Sequence, residues 1–312
     1  MTKSIYIAGH TGLIGSALLE RLGGEDDYAI ITRTHSQLDL SDHVQVDRFF
    51  EKEAPEICIL AAGRVGGIIA NRDYPADFIT ENLAIQLNVF RAARHTGVKK
   101  LIFFGSSCMY PRECPQPMNE DQLLTGKPEP TSMAYAISKL AGVEMCLAYN
   151  RQYGARRFLP VIPNNVYGPR DNFDSKSSHV LPGLIRKFHE AREKGLASVT
   201  LWGTGTPRRE FIYVDDVADA VSFLLEHDTD SLEFPLNMGV GYDNSIKDLA
   251  EIVCNVVGYI GQIKWDTSKP DGAPRKLLDS SRLKVLGWRP KVGLEEGIKN
   301  SYQWYLKNMS ET

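Results

Sequence analysis

Long apolar runs are missing from this sequence. Its aliphatic and aromatic stretches are short and broken by glycine or charge, far from the roughly 20 apolar residues a membrane-spanning helix needs. Excess positive charge is missing too. Thirty-six Lys and Arg face 39 Asp and Glu, for a formal net charge of -3, which excludes a protein that grips nucleic acid through a basic surface. Cysteine is sparse and unpatterned: Cys58, Cys108, Cys114, Cys146 and Cys254 are odd in number and lack the spacing of metal ligands. Free thiols in a reducing cytoplasm are the reading that follows. No repeat or low-complexity tract occurs. The opening MTKSIYIAGHTG turns into a glycine loop after a few apolar residues, so it reads as a strand and not as a secretory signal. What is present, 312 residues of which 43% are hydrophobic, suffices for one large or two modest domains with a buried core.

Apolar runs alternate with helical patterns through the first half. Strands are expected at Ser4–Ala8, Tyr28–Thr32, Ile57–Ala61, Lys100–Gly105 and Phe158–Ile162. Between them, helices are expected at Ile14–Leu22, Val44–Lys52, Pro75–Thr96 and through SMAYAISKLAGVEMCLAYNRQYG. Strands that are apolar throughout are buried on both faces, and the alternation implies a doubly wound parallel sheet. After about Tyr167 the rhythm gives way to polar, turn-rich segments. REFIYVDDVADAVSFLLEH and FPLNMGV then return as strand, helix and strand. The expectation is a nucleotide-binding domain over 1–168 plus about 211–240. A smaller interleaved substrate domain covers about 169–210 and 241–312.

The first strand runs into AGHTGLIG, with Gly9, Gly12 and Gly15 three apart. At a strand-to-helix turn these permit a tight bend, close backbone approach and tight helix packing, and the helix N-terminus then faces a pyrophosphate. At the end of the second strand stands Arg33, with His35 close by, where an acid would bind a ribose 2′-hydroxyl. A cation suits a 2′-phosphate, favouring NADP, although an arginine at a solvated strand end is the plain alternative. Asp39 and Leu40 border the adenine on this reading; turn capping accounts for Asp39 equally well.

Tyr135 and Lys139, four apart in YAISK, share a helix face. An ammonium beside the phenol would lower the tyrosine's pKa and make it an acid or base near neutral pH. Upstream, the buried strand LIFF ends in GSSCMYP, placing Ser106, Ser107 and Cys108 at its mouth. Alone, Cys108 is a small hydrophobe and His179 a helix cap. Cys58 and Cys146 are assigned to packing, and Cys114 has no role.

The order of glycine loop, strand-end serine and Tyr-Lys pair resembles the extended short-chain dehydrogenase/reductase family, whose members act mainly on nucleotide sugars. Shared stretches run from end to end, among them AGHTGLIGSA, VGGIIANRDYPADFI, YAISKLAGVEMC, NVYGPRDNF, WGTGTPRREF and SKPDGAPRKLLD. The resemblance implies a Rossmann-like α/β fold and a bifunctional epimerase/reductase. Its substrate would be GDP-4-keto-6-deoxy-D-mannose, epimerised at carbons 3 and 5 and then reduced at carbon 4. It also implies roles. Ser106, Tyr135 and Lys139 become the carbonyl-handling set, and Cys108 and His179 the epimerisation pair. NADP(H) contacts fall on Gly9, His10, Thr11, Gly12, Leu13, Ile14, Gly15, Arg33, His35, Asp39, Leu40, Lys139, Pro163, Asn164, Asn165, Val166 and His179. GDP-sugar contacts fall on Lys187, Trp202, Arg209 and Asp271. No metal is implied. A homodimer through Pro75–Thr96 and Ala134–Tyr153 is implied, with no membrane or nucleic-acid partner.

Rivals on the same fold are a 4-epimerase, a 4,6-dehydratase and a simple 4-reductase. The first and last need no base for carbons 3 and 5, and a dehydratase is expected to carry acidic residues after the serine, where Cys108-Met109 stand. A non-enzymatic NADP sensor would be expected to lose Tyr135 or Lys139.

Overall fold

The structure, a computed structural model, describes residues 2–154, 156–175, 177–228, 232–269 and 271–309. Among these, six parallel strands make the central sheet: β1 (Lys3–Ala8), β2 (Tyr28–Ile31), β3 (Ile57–Leu60), β4 (Lys100–Phe104), β5 (Phe158–Pro163) and the strand Leu236–Met238. Their order is Leu236–Met238, β5, β4, β3, β1, β2. Successive side chains of a strand point to opposite faces, and both faces here are covered. Tyr6, Ala8, Cys58, Leu60, Leu101 and Phe103 pack under α2 (His43–Glu53), α4 (Pro75–Thr96) and α5 (Met133–Tyr153). Ile5, Ile7, Ile59, Ile102 and Phe104 pack under α1 (Leu13–Gly23) and α7 (Val214–Glu226). That double cover is why the strands read as unbroken apolar runs. Phe90 of α4 shows the tightness: it is fully buried, with ring centroids 5.4 Å from Phe103 and 5.6 Å from Phe158. Truncating such a ring to alanine costs about 3–5 kcal/mol.

Helix α4 begins with Pro75 in its first turn and ends at Gly97, whose φ of 77° closes the left-handed cap. A short helix, α3 (Ile68–Asp73), precedes it, and α6 (Val180–Glu193) belongs to the second half.

The second half builds a separate core. Leu181, Ile185 and Phe188 of α6 pack with Val199, Leu201, Leu249, Val253, Ile298 and Tyr302. Its sheet pieces are small. Ser198–Trp202 pairs with Gln262–Asp266, and Arg208–Arg209 lies between Asn244–Ser245 and Arg275–Lys276. Asn165–Tyr167 pairs with Phe211–Tyr213 and leads the chain from one core to the other. Late residues also return: Leu283 and Trp288 pack in the core beneath α1 and α7.

Strands β2 and β3 flank β1 on opposite sides, so a crevice opens at the carboxyl ends of β1 and β3, the ligand-binding edge of doubly wound sheets. The ends of β4 and β5, with Ser106 and Asn164 just beyond them, lie on this same edge.

Candidate active site

Two of the three glycines after β1 are needed by the protein itself. Gly9 has φ 83°, and a Cβ there would lie 2.7 Å from the backbone nitrogen of Ala62 at the end of β3. A Cβ on Gly15 would collide with the carbonyl of Gly9. Gly12 differs: the nearest protein atom to a Cβ would be 3.5 Å away, ordinary contact, and its φ is -81°. Space at Gly12 is therefore space for something other than protein. Helix α1 starts there with no side-chain cap and no acidic residue in its first turn, leaving its N–H groups and the positive end of its dipole for an anion. The buried Nδ1 of His10 has no hydrogen-bond partner. A dinucleotide pyrophosphate fits this cradle.

The residues at the end of β2 are already engaged. Arg33 Nη2 donates to Glu53 Oε1 at 2.7 Å, and its guanidinium lies 5.4 Å from the Phe49 ring centroid. Asp39 accepts from the backbone and hydroxyl of Ser41 at 2.8 and 2.7 Å, so the turn-capping account of Asp39 is what the structure shows. Leu40 is buried.

At the end of β4, Ser106 Oγ accepts from the Cys108 backbone N–H at 3.2 Å, opening a single 3-10 turn over Ser107–Met109. The same Ser106 side chain hydrogen-bonds Tyr135, which lies near Cys108. Lys139, one turn along α5, is buried and donates to the Phe104 carbonyl at 2.9 Å. Here the sequence expectation needs correction. Burial raises the Tyr135 pKa above the ordinary phenol value, nearby Cys108 adds to this, and the Ser106 hydrogen bond only partly opposes it. Lys139 Nζ lies 5.9 Å from the Tyr135 ring centroid and is itself pushed down to about 8 by burial. Desolvation dominates, so at neutral pH Tyr135 is a phenol with a proton to give.

His179 precedes α6, yet its side chain caps nothing, which removes the capping explanation. The residue as a whole is exposed, while desolvation of the imidazole by the surrounding protein lowers its pKa below the ordinary value. Its loop reaches Tyr135 indirectly. Gly67 donates to the Ser177 carbonyl at 3.2 Å, and a Cβ on neighbouring Gly66 would touch Phe78 at 3.2 Å. The Phe78 ring packs edge-on against Tyr135 with centroids 6.2 Å apart.

The four residues expected at the sugar nucleotide gather around the end of Ser198–Trp202. Lys187 donates to the Thr200 carbonyl at 3.1 Å. Trp202 is 65% exposed, not a core tryptophan, and Lys269 Nζ lies 5.8 Å from its ring centroid. Asp271 accepts from the backbone of Thr204 at 3.0 Å and its hydroxyl at 2.7 Å, pinning the loop after Trp202. Arg209 lies beside Gly272 and feels the charges of Cys108, Glu129 and Asp271, while burial lowers its pKa. The carboxylates oppose that cost.

Pro163 ends β5, and Asn165 and Val166 sit on the strand leading away from it. Asn164 is buried and donates to Glu210 Oε2 at 2.7 Å; Asn165 donates to the Glu210 carbonyl at 2.7 Å. Both amides are thus tied to protein. Cys58 and Cys146 are fully buried, as packing residues should be.

Lys276 is the residue that sequence reasoning missed. Its Nζ lies 3.9 Å from Cys108 Sγ, putting a cation directly against the thiol. It sits in the shared stretch SKPDGAPRKLLD, where Asp271 alone stood out as a ligand-binding residue. Among the described residues no cluster of His, Cys, Asp and Glu could hold a metal ion, and no helix is long and apolar enough to cross a membrane.

The profile of the NAD dependent epimerase/dehydratase family matches residues 5–239. The chain is 51% identical over 308 residues to GDP-L-fucose synthase 1 of Arabidopsis thaliana, covering 99% of this chain and 94% of that protein. Among solved structures, a GDP-6-OMe-4-keto-L-xylo-heptose reductase from C. jejuni superposes with a TM-score of 0.92 at 38% identity over 98% of each chain. A GDP-L-fucose synthetase from Naegleria fowleri bound to NADP superposes with a TM-score of 0.89 at 28% identity, covering 99% of this chain and 97% of that one.

Proposed function

The chain belongs to the NAD dependent epimerase/dehydratase family, and from that footing we propose that it epimerises GDP-4-keto-6-deoxy-D-mannose at carbons 3 and 5 and reduces carbon 4 with NADPH, giving GDP-L-fucose. The observation that carries this reading is the placement of Cys108 beside the proton-bearing Tyr135 and against Lys276. A carbonyl reductase needs an acid; only an enzyme that also moves protons on the adjacent carbons needs a second proton carrier there.

In this reading Arg209 and Lys187 hold the diphosphate and Trp202 offers an exposed ring face to the nucleotide. Asp271 keeps the Trp202 loop in place through Thr204. Ser106 and Tyr135 hydrogen-bond the oxygen on carbon 4, so charge developing there as a neighbouring C–H bond breaks is stabilised. Cys108 and His179 remove and return protons at carbons 3 and 5. The imidazole suits this role because desolvation keeps it neutral and ready to accept. After both centres invert, Tyr135 gives its proton to the oxygen on carbon 4. The chemistry the cofactor supplies when bound is the hydride for that carbon. Gly9–Gly15, Arg33, His35, Lys139 and Pro163–Val166 are its proposed seat.

We assign the cofactor domain to 1–168 plus about 211–240 and the sugar-nucleotide domain to about 169–210 and 241–312, and the cytoplasm as the working compartment. The chain pairs with a second copy through α4 and α5, whose exposed Leu87, Ile137 and Tyr153 would be covered there.

The test is incubation with GDP-4-keto-6-deoxy-D-mannose and NADPH in deuterium oxide, followed by sugar analysis. Deuterium at carbons 3 and 5 in a reduced product supports the assignment. NADPH consumption without deuterium at either carbon would leave a plain keto-sugar reductase.

A further inference from the structure

Glu210 is fully buried, yet it touches none of the residues assigned to chemistry through its own carboxylate except Asn164. Its Oε2 accepts from Asn164 Nδ2 at 2.7 Å and from the Leu278 backbone at 2.9 Å; its Oε1 accepts from the Gly241 backbone at 2.7 Å. Burial raises the pKa of this carboxyl above the ordinary value and the hydrogen bonds oppose that rise; every one of these partners is a donor, the set an ionised carboxylate accepts from. Its main chain is tied as well. The Glu210 N–H donates to the Lys276 carbonyl at 3.2 Å, and the Glu210 carbonyl accepts from Asn165 Nδ2 at 2.7 Å. One residue thus joins the exit of β5, the loop after Leu236–Met238 and the strand Arg275–Lys276. Its chain neighbour is Arg209, and the residue paired with its N–H is Lys276. Those are the two cations that face Cys108.

We propose that Glu210 is a positioning residue for proton transfer: it anchors the strands carrying Arg209 and Lys276 to the end of the sheet, so that both cations are held against the site of Cys108. This rests on the reading of the site given above. The reason it needs a carboxylate is geometric. An amide at the same place would present N–H to a backbone N–H or to the Asn164 amide, and at least one of the buried donors would lose its acceptor. Gly239 supports the same view, because a Cβ there would lie 2.5 Å from Glu210 Oε1. The chain leaves room for this carboxylate.

The test uses two variants of the full-length protein, Glu210→Gln, which removes the charge, and Gly239→Ala, which keeps it but crowds it. Three quantities are read: the rate at which iodoacetamide alkylates Cys108, followed on its own peptide; the dissociation constant of GDP; and deuterium entry at carbons 3 and 5. The thermal midpoint reports the fold. Expected are slower alkylation, GDP binding weaker by about tenfold as the Arg209 contact loosens, and exchange lower by about 10²-fold, with the thermal midpoint retained in both. Unchanged alkylation and GDP affinity in folded variants overturn the proposal. So does a loss of fold in both variants, which would make Glu210 a residue of the scaffold alone. A parent protein that binds GDP but shows no exchange refutes the assigned reaction, while alkylation and GDP affinity still decide the role of Glu210.

Discussion

Lys276 Nζ stands 3.9 Å from the sulfur of Cys108, although 168 residues of chain separate them. The contact joins a cation from the small second-half sheet to the thiol that ends β4. A thiol chosen only for packing would be sealed among apolar neighbours, as Cys58 and Cys146 are. Cys108 is half-buried and faces charge instead.

On the proposed reading, replacing Cys108 by serine removes a proton carrier and little structure. Deuterium entry at carbons 3 and 5 is expected to fall about 10²–10⁴-fold, while NADPH affinity and thermal midpoint stay put. Persistent exchange in Cys108→Ser would move the base elsewhere.

On the same reading, Tyr135→Phe removes the acid and leaves the thiol. Hydride transfer, followed by single-turnover NADPH oxidation, should slow about 10²–10⁴-fold, more than exchange does. If exchange and reduction fell equally, the phenol would be acting only by holding the carbonyl oxygen.

Gly12 and Gly15 separate cofactor fit from protein fit. Gly15→Ala drives a methyl into the Gly9 carbonyl and should destabilise the cofactor-free protein by about 1–3 kcal/mol. Gly12→Ala meets no protein atom closer than 3.5 Å. It should melt normally and bind NADPH at least about tenfold more weakly. Equal NADPH affinity in Gly12→Ala and the parent protein would place the pyrophosphate elsewhere.

Lys139 makes stability depend on pH. Its pKa lies at about 8 in the folded protein against 10.5 for the ordinary side chain. Below pH 8 the folded state carries the full cost of a buried ammonium; between 8 and 10.5 the unfolded chain binds more protons, so stability rises with pH; above 10.5 the cost is gone. Without cofactor, Lys139→Met should be more stable than the parent at pH 7 by ~3 kcal/mol, and that gap should close as pH climbs through this window. Taking the difference between the two proteins cancels the other titrating groups. A gap that stays constant with pH would mean that Lys139 gains a partner for its charge.

Arg33 pairs with Glu53, and in the proposed cofactor seat it would be shared with the 2′-phosphate. Glu53→Gln breaks the 2.7 Å pair and should raise the preference for NADPH over NADH by about two- to fivefold, the worth of a half-exposed ion pair. An unaltered ratio of the two dissociation constants would take Arg33 out of cofactor selection.

What was legible in the sequence follows the physics of each element. Strands β1 to β5 were readable because a parallel sheet covered on both sides needs unbroken apolar runs. The expected span Pro75–Thr96 matches α4 because proline and glycine punctuate its two ends. The two-residue strands Arg208–Arg209 and Arg275–Lys276 are too short to carry a period, so nothing local announced the sheet that brings Lys276 to Cys108. Tyr135 illustrates a second limit. Its spacing from Lys139 was visible, but the depth of burial that keeps its proton on is a property of the assembled core.

The strand Leu236–Met238 pairs along β5 and closes that side of the sheet. A chain growing from its N-terminus completes β5 at Pro163 and must then make some seventy further residues before this neighbour exists. Throughout that interval the β5 edge, apolar along its whole length, stands open to any other strand. Synthesis thus passes through a vulnerable stage dictated by topology. For the same reason, a fragment cut after residue 168 would inherit that open edge permanently.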